Sequence, residues 1–282
     1  MSAVVLKLGG ELVETAAQRA ALAGFAAAVA ARQALVIVHG GGRAIDAELA
    51  RRQIAPRKID GLRVTDAATL DAVVAVLAGS TNTDLVAALV GRGVRAVGLT
   101  GVDAGFGRAT RASAHRTSTG ATADLGLVGD PAAPDPTLLA LLLAHGYVPV
   151  VASLGLESLP QSADTMLSVL NVNADVMACR LAAALPAGRL VIAGATAGVL
   201  DEAGGTFAEL DVAGIGRVIA DGTATAGMIA KLAACRDALE AGVRTARIVD
   251  GRGFAGAASI DDLAGTTLVP APSFSTSTVD AR

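Results

Sequence analysis

A chain of 282 residues with 52% hydrophobic side chains is long enough to bury a sizeable core, and its net charge of -3 gives no electrostatic reason for a polyanionic partner. The 23 basic residues are scattered and aromatic residues make up only 2% of the chain, so we expect no nucleic-acid surface, either along phosphates or through base stacking. No basic segment precedes the first apolar stretch and no small-residue cleavage site follows it, which predicts a cytoplasmic protein.

Six short runs rich in β-branched residues predict strands. Each run ends in or next to a glycine, and most of them alternate with longer helical stretches. The runs are AVVLKLGG, ALVIVHGGG, AVGLTG, VPVVASLG, RLVIAGA and ARIVDG. Alternation of this kind is typical of the α/β class, in which helices cover both faces of a parallel sheet.

Helices are predicted where apolar residues recur at three- and four-residue spacing. They cover residues 43–53, 66–93 and 225–242, and Asp66 is a suitable N-cap for the second. Residues 103–136, rich in Gly, Ala and Thr, predict short strands and loops. No interdomain linker interrupts the chain, so we expect a single domain over 1–282, with a loose tail at 271–282.

The uncharged run 136–156 has nearly the length of a membrane span. Its Gly146 and Pro149 divide it into a helix and a buried strand, which is the better interpretation. We therefore expect no membrane partner.

Two glycine turns follow neighbouring predicted strands. One is Lys7-Leu8-Gly9-Gly10 and the other is His39-Gly40-Gly41-Gly42, directly before a helix. Consecutive glycines let backbone N–H groups point at an anion, and a helix N-terminus adds its dipole. Either turn alone could simply end a strand tightly, but together they predict a polyphosphate cradle. His39 is interpreted as structural.

The only lysines are Lys7, Lys58 and Lys231, and every other cationic side chain is arginine. A retained lysine is typical of a site that needs a compact ammonium beside a transferring phosphoryl group. Lys7 adjoins a glycine turn, and Lys231 lies near the start of a helix. Lys58 has no such setting and is predicted to be a surface residue.

The stretch LNVNAD alternates apolar and polar residues before a helix, so Asn171 and Asn173 are predicted to share one face of a strand. Two amides on one face can hold a small polar ligand. Asp175 has two interpretations that stay open: it caps the helix, or its carboxylate orients two lysines.

Five motifs in the same order and approximate spacing resemble those of N-acetylglutamate kinases, in the amino-acid kinase family, over nearly the whole chain. They are VVLKLGGE, VIVHGGGRAID, KIDGLRVTDAATLDAVVAVLAG, LNVNAD and GMIAK. The resemblance implies a three-layer α/β/α sandwich with a mainly parallel sheet of about eight strands. It also implies a substrate-binding half at 1–185, a nucleotide-binding half at 186–270, and a homodimer without arginine feedback.

The resemblance further implies phosphorylation of the side-chain carboxylate of N-acetyl-L-glutamate by ATP with Mg²⁺, and it assigns roles by position. The implied catalytic residues are Lys7, Lys231 and Asp175. The implied substrate-binding residues are Gly41, Gly42, Arg63, Asn171 and Asn173. The implied nucleotide-binding residues are Gly9, Gly10, Thr196, Gly198, Gly227 and Met228. No protein-borne metal site is implied.

Several positions depart from the family pattern. Ala195 replaces the usual aspartate of the nucleotide loop, Thr83 replaces a lysine, and Ala226 precedes the Gly-Met pair. The stretch 157–170 is longer than the usual hairpin. Two alternatives therefore stay open: a kinase of another acid, such as aminoadipate or glutamate, and a catalytically weak metabolite sensor.

Overall fold

The structure is a computed structural model that describes residues 3–112, 114–117, 120–158, 167–185, 187–222, 224 and 226–271. Most of the expected long insertion and nearly all of the expected loose tail lie outside the described residues.

The strands are numbered in chain order. They are β1 (Val4–Leu8), β2 (Leu35–His39), β3 (Lys58–Ile59), β4 (Leu62–Arg63), β5 (Ala96–Thr100), β6 (Arg108–Arg111), β7 (His115–Arg116), β8 (Thr122–Ala123), β9 (Val128–Pro131), β10 (Val148–Ala152), β11 (Leu154–Glu157), β12 (Val169–Val172), β13 (Arg189–Gly194), β14 (Glu209–Asp211), β15 (Thr245–Asp250) and β16 (Gly265–Val269).

The main sheet has eight strands in the order β14-β16-β15-β13-β1-β2-β10-β5. The six strands from β15 to β5 are mutually parallel, and they are the six predicted runs. β16 runs antiparallel to β15 and pairs in parallel with β14 at the edge. The predicted α/β class with a mainly parallel, eight-stranded sheet is confirmed.

The α-helices are also numbered in chain order. They are α1 (Ala16–Ala30), α2 (Gly42–Arg51), α3 (Ala67–Val74), α4 (Asn82–Val90), α5 (Thr137–Ala144), α6 (Ala174–Ala184), α7 (Val212–Ala220) and α8 (Ala226–Glu240). A π-helical segment, Ala75–Thr81, joins α3 to α4 into one continuous helix. Asp66 caps its start, as predicted, by accepting a hydrogen bond from Thr69 N at 2.8 Å.

Two apolar layers cover the two faces of the sheet, completing the α/β/α sandwich. Val5 belongs to the layer that packs on α6, α7 and α8. Leu6 and Leu8 belong to the opposite layer, with α1 and α4. Because side chains alternate along a strand, Lys7 shares the face of Val5 and points toward α6.

The described part of residues 103–136 forms short strands and loops, as predicted. Two of its strands, β6 and β9, close with β11 and β12 into a small barrel beside the main sheet. The uncharged run 136–156 contains α5 and β10 rather than one long helix. Among the described residues, one helix, Ala67–Val90, is long and apolar enough to cross a bilayer. Its Leu77, Leu85 and Leu89 are buried in the core, and core helices of globular proteins pass the same test.

Candidate active site

A cavity of about 720 Å³ opens beyond the carboxyl ends of β1, β2 and β10. Both glycine turns line it, together with Arg63, the LNVNAD stretch and Lys231. Ligands of open α/β sheets bind at this edge, because the loops after the strands leave a crevice there. The fold therefore gathers most of the residues that the sequence singled out around one space.

The centre of the cavity wall is an ion pair between Lys7 and Asp175. Lys7 Nζ lies 2.7 Å from Asp175 Oδ1. The two residues are only 7% and 9% exposed. Alternation in β1 turns Lys7 toward α6, and Asp175 lies in the first turn of that helix. The pair is therefore produced by the register of one strand and the start of one helix.

The interpretation of Asp175 as a helix cap is wrong, because Asn173 is the N-cap of α6. Asn173 Oδ1 accepts hydrogen bonds from the backbone N–H groups of Asp175 at 2.8 Å and Val176 at 3.3 Å. β12 ends at Val172, so Asn173 lies just beyond the strand on which it was predicted to share a face with Asn171. With the cap supplied by Asn173, the Asp175 carboxylate remains available to Lys7.

Asn171 lies on β12 and donates from Nδ2 to Thr65 Oγ1 at 3.2 Å. Thr65 Oγ1 in turn donates to Arg63 O at 3.0 Å. The Asn171 amide is thus fixed against the segment that follows β4. Both Asn171 and Asn173 line the cavity.

The two glycine turns touch each other. A methyl group on Gly10 would lie 3.2 Å from both Gly41 Cα and Gly42 N, and one on Gly41 would lie 2.9 Å from Leu77 Cδ2. Both contacts are tighter than most real Cβ contacts, so a side chain at either glycine would force its neighbours to shift, and the juxtaposition favours glycine. The backbone N–H groups of two turns can therefore converge on one anion.

Lys231 lines the same cavity but is not brought to Asp175. Its ammonium donates to Gly227 O at 3.4 Å, one turn back on α8. Among the described side chains it forms no ion pair with a carboxylate. The predicted arrangement, with Asp175 orienting two lysines, is present for Lys7 alone.

Arg63 is 8% exposed, and its guanidinium is held by α2. Arg63 Nη2 lies 2.6 Å from Asp46 Oδ1 and donates to Gly42 O at 3.3 Å. Lys58 Nζ donates to the other carboxylate oxygen, Asp46 Oδ2, at 3.0 Å. The prediction that Lys58 is a surface residue is confirmed by its 46% exposed side chain, which also lines the cavity beside Arg63.

Four residues assigned to the nucleotide by resemblance do not line this cavity: Thr196, Gly198, Gly227 and Met228. Thr196 is exposed in the loop after β13, next to the exposed Ala195. Met228 packs on the apolar layer around α6. Gly198 has φ +121°, a conformation that other residues rarely adopt, and close neighbours surround it.

His39 and the two cysteines are buried in the interior. His39 Nε2 accepts from Asn82 Nδ2 at 3.0 Å, so Nδ1 carries the proton and donates to Gly40 O at 3.1 Å. Burial lowers the pKa of His39 to about 4, which keeps the ring neutral at physiological pH. Burial also raises the pKa of the thiols of Cys179 and Cys235, so both remain inert.

Sequence reasoning missed Asp46, which connects Arg63 to Lys58. A signal was present, because Asp46 follows the second glycine turn by one helical turn and so lies near the same sheet edge. It also missed the apolar cavity residues Leu125 and Val128, which come from the irregular 103–136 segment.

The Amino acid kinase family profile matches residues 2–250. Acetylglutamate kinase from Symbiobacterium thermophilum is 41% identical over 254 residues, which cover 88% of this chain and 84% of that protein. Acetylglutamate kinase from Solibacter usitatus is 41% identical over 249 residues, covering 88% and 91%. The chain belongs to the amino acid kinase family and, within it, to the acetylglutamate kinases.

Solved structures share the fold at lower sequence identity. N-acetylglutamate synthase from Neisseria gonorrhoeae, complexed with coenzyme A and N-acetyl-glutamate, is 21% identical with a TM-score of 0.81, covering 96% of this chain and 60% of that one. Carbamate kinase from Giardia lamblia, bound to AMP-PNP, is 14% identical with a TM-score of 0.68, covering 96% and 99%. These likenesses support the sheet and its layers.

Proposed function

We propose that this protein transfers the γ-phosphoryl group of ATP to the side-chain carboxylate of N-acetyl-L-glutamate, giving ADP and an acyl phosphate in arginine biosynthesis. The observation that carries the proposal is the buried Lys7–Asp175 pair, in one cavity with two touching glycine turns and Arg63. The acetylglutamate kinases with which the chain groups support the choice of acid.

The chemistry needs charge neutralisation more than proton transfer. A carboxylate is already ionised at neutral pH, so its oxygen attacks the γ-phosphorus without a general base while the bond to the β,γ-bridging oxygen breaks. Lys7 supplies a compact ammonium for the charge on the transferring group, and the backbone donors of Gly10, Gly41 and Gly42 surround the phosphates and substrate. The Gly9 N–H already donates to Ala193 O at 2.9 Å, so Gly9 would only border the phosphates. Asp175 keeps the Lys7 ammonium in place.

Lys231 would complete this arrangement from the nucleotide side. It lies on α8, in the half at 186–270 that we assign to ATP, while the half at 1–185 takes the acid. Among the residues that the structure describes, only Gly227 O holds its ammonium, at 3.4 Å, a long contact that a phosphate oxygen can replace. Thr196, Gly198, Gly227 and Met228 would contact the nucleotide outside the described cavity.

Mg²⁺ fits this site as an ion bound mainly through the phosphates of ATP. Among the described residues, no group of three or more His, Cys, Asp or Glu side chains could hold a metal ion. Mg²⁺ is commonly held by substrate phosphates and water with few protein ligands, which suits a cavity lined by lysines and glycines. Bound in this way, the ion would neutralise phosphate charge.

A hydroxamate-trapping assay with Mg-ATP tests the reaction directly. We expect acyl phosphate from N-acetylglutamate, and much less from glutamate or aminoadipate. Lys231→Ala should lower kcat on the order of 10²-fold, because one charge-stabilising donor is lost. Lys231 is half-buried, so the variant should keep the wild-type melting temperature. Folded wild-type protein that phosphorylates none of the three acids would rule out the proposal.

We place the enzyme in the cytoplasm as a homodimer. Free Cys179 and Cys235 suit a reducing compartment. An exposed row of small residues runs along the continuous helix Ala67–Val90, and small residues allow two helices to approach closely. The row consists of Ala75, Gly79, Thr83 and Ala87.

Light scattering should give twice the chain mass of 27.8 kDa for the wild type. Gly79→Arg should give the single-chain mass, because no described residue outside the local helix backbone lies within 4 Å of the added Cβ, whereas a second helix on this face would meet the arginine. A wild-type mass of one chain, or an unchanged mass for Gly79→Arg, would contradict a dimer through this helix.

A further inference from the structure

We propose that Asp46 is a positioning residue that holds Arg63 and Lys58 together as a two-cation clamp for the α-carboxylate of the acidic substrate. This inference rests on the proposed function and deepens it, because it assigns new roles to Asp46 and Lys58 in binding the acid.

The clamp brings together two elements that are distant in sequence. Lys58 and Arg63 face each other as a cross-strand pair in the β3–β4 hairpin. Asp46, on α2, lies 2.6 Å from Arg63 Nη2 with Oδ1 and accepts from Lys58 Nζ at 3.0 Å with Oδ2. One carboxylate therefore fixes both cations and ties the hairpin to the helix that follows the second glycine turn.

The cross-strand pair of Lys58 and Arg63 is unfavourable unless an anion lies beside it. Like charges directly opposite on neighbouring strands destabilise the pairing. Asp46 offsets one of the two positive charges, so the group of three side chains keeps a net charge of one positive unit beside the cavity. That charge matches a single carboxylate.

The hydrogen-bonding capacity of Arg63 is also incomplete. Nη2 is occupied by Asp46 and Gly42 O, but the buried Nη1 has no hydrogen-bond partner among the described residues. A buried donor without a partner costs free energy, which an anion in the cavity would recover. The Lys58 ammonium has three donors and spends one on Asp46.

Asp46 remains ionised in this setting. Partial burial raises the pKa of its carboxyl, but hydrogen bonds and charge from Lys58 and Arg63 outweigh burial and hold the pKa below its usual value. The Asp46 carboxylate is therefore ionised at neutral pH and can hold both cations.

The test measures binding of two ligands by calorimetry: N-acetylglutamate and its α-carboxamide, which keeps the side-chain carboxylate but lacks the α-carboxylate charge. Asp46→Ala should weaken binding of the acid at least tenfold, because Lys58 moves away from Arg63 when their common partner is lost. Binding of the α-amide should change less than threefold. In Asp46→Ala, the affinity for the acid divided by the affinity for the α-amide should therefore fall toward one.

Three further variants sharpen the result. Asp46→Asn can accept from only one of the two cations and should fall between wild type and Asp46→Ala. Lys58→Met keeps the Arg63–Asp46 pair and should weaken the acid alone by a smaller factor. Asp84→Ala removes an acid on α4 that pairs with Arg19 at 3.3 Å, outside the cavity, and should leave both affinities unchanged.

Equal weakening of the acid and the amide in Asp46→Ala would indicate a structural role and overturn the clamp, as would unchanged affinity for both. If Asp46→Ala does not fold, Asp46→Asn and Lys58→Met must still change the ratio of affinities. The proposed function is judged separately. A wild type that binds the acid but makes no acyl phosphate would count against the reaction and leave the clamp standing.

Discussion

Lys7→Met should lower kcat on the order of 10³-fold, the largest effect expected of any substitution in the cavity. The ammonium lies in the cavity wall, 2.7 Å from Asp175, and in the proposed reaction one well-placed donor there would stabilise developing charge strongly. The same change leaves the Asp175 carboxylate buried without its partner, so the free energy of unfolding should fall by about 3 to 5 kcal/mol. Single-turnover kinetics and denaturant unfolding measure the two effects.

The double variant Lys7→Met/Asp175→Asn separates catalysis from stability. Removing both charges should restore part of the free energy of unfolding, because no uncompensated buried charge remains. Activity should not return. If Lys7→Met keeps kcat within tenfold of wild type, or if the double variant recovers activity together with stability, Lys7 has only a structural role.

Gly198→Ala should lower the free energy of unfolding by about 2 to 5 kcal/mol, through backbone strain and crowding together. The φ of +121° is unfavourable for alanine. The added Cβ would lie 2.7 Å from Thr266 Oγ1 and 2.9 Å from Thr266 N. It would also disturb the hydrogen bond from Val199 N to Thr266 Oγ1, which is 2.8 Å long. Urea unfolding of the purified variant measures the loss.

Gly204→Ala is the matched control, because Gly204 also has a positive φ, +80°, but apart from its chain neighbours no described residue lies within 4 Å of an added Cβ. It should lose only about 1 to 2 kcal/mol, the strain alone. The difference between the variants then isolates crowding against Thr266. Equal losses would show that crowding is absent. A normal stability for Gly198→Ala would mean that the glycine is required only by a ligand.

The sequence predicted the centre of the sheet because its six strands are apolar runs closed by glycine. It missed β14 and β16 at the edge, where Glu209–Asp211 is only three residues long and Gly265–Val269 contains two threonines. Short, half-exposed strands have little apolar pattern, and partner strands determine their position.

The candidate site was predictable where the chemistry lies on strand ends and glycine turns, as with Lys7. The separate roles of Asn171, Asn173 and Asp175 were harder to predict. The alternation of LNVNAD continues past Val172, and only the hydrogen bonds of Asn173 to the start of α6 determine where the strand ends. Asp46 and Lys58 are separated by twelve positions and meet through tertiary packing, for which no local pattern exists.

Because side chains alternate along β1, the position of Lys7 depends on the length of the strand before it more than on which apolar residues the strand contains. Val5 and Lys7 face α6, while Leu6 and Leu8 face the layer around α1. Deleting one residue before Lys7 without re-registering the strand would exchange the two sets, so an ammonium would enter the apolar layer and a leucine would face Asp175. Apolar substitutions in β1 can therefore accumulate over evolution, whereas single-residue insertions and deletions there would abolish both the core and the chemistry at once.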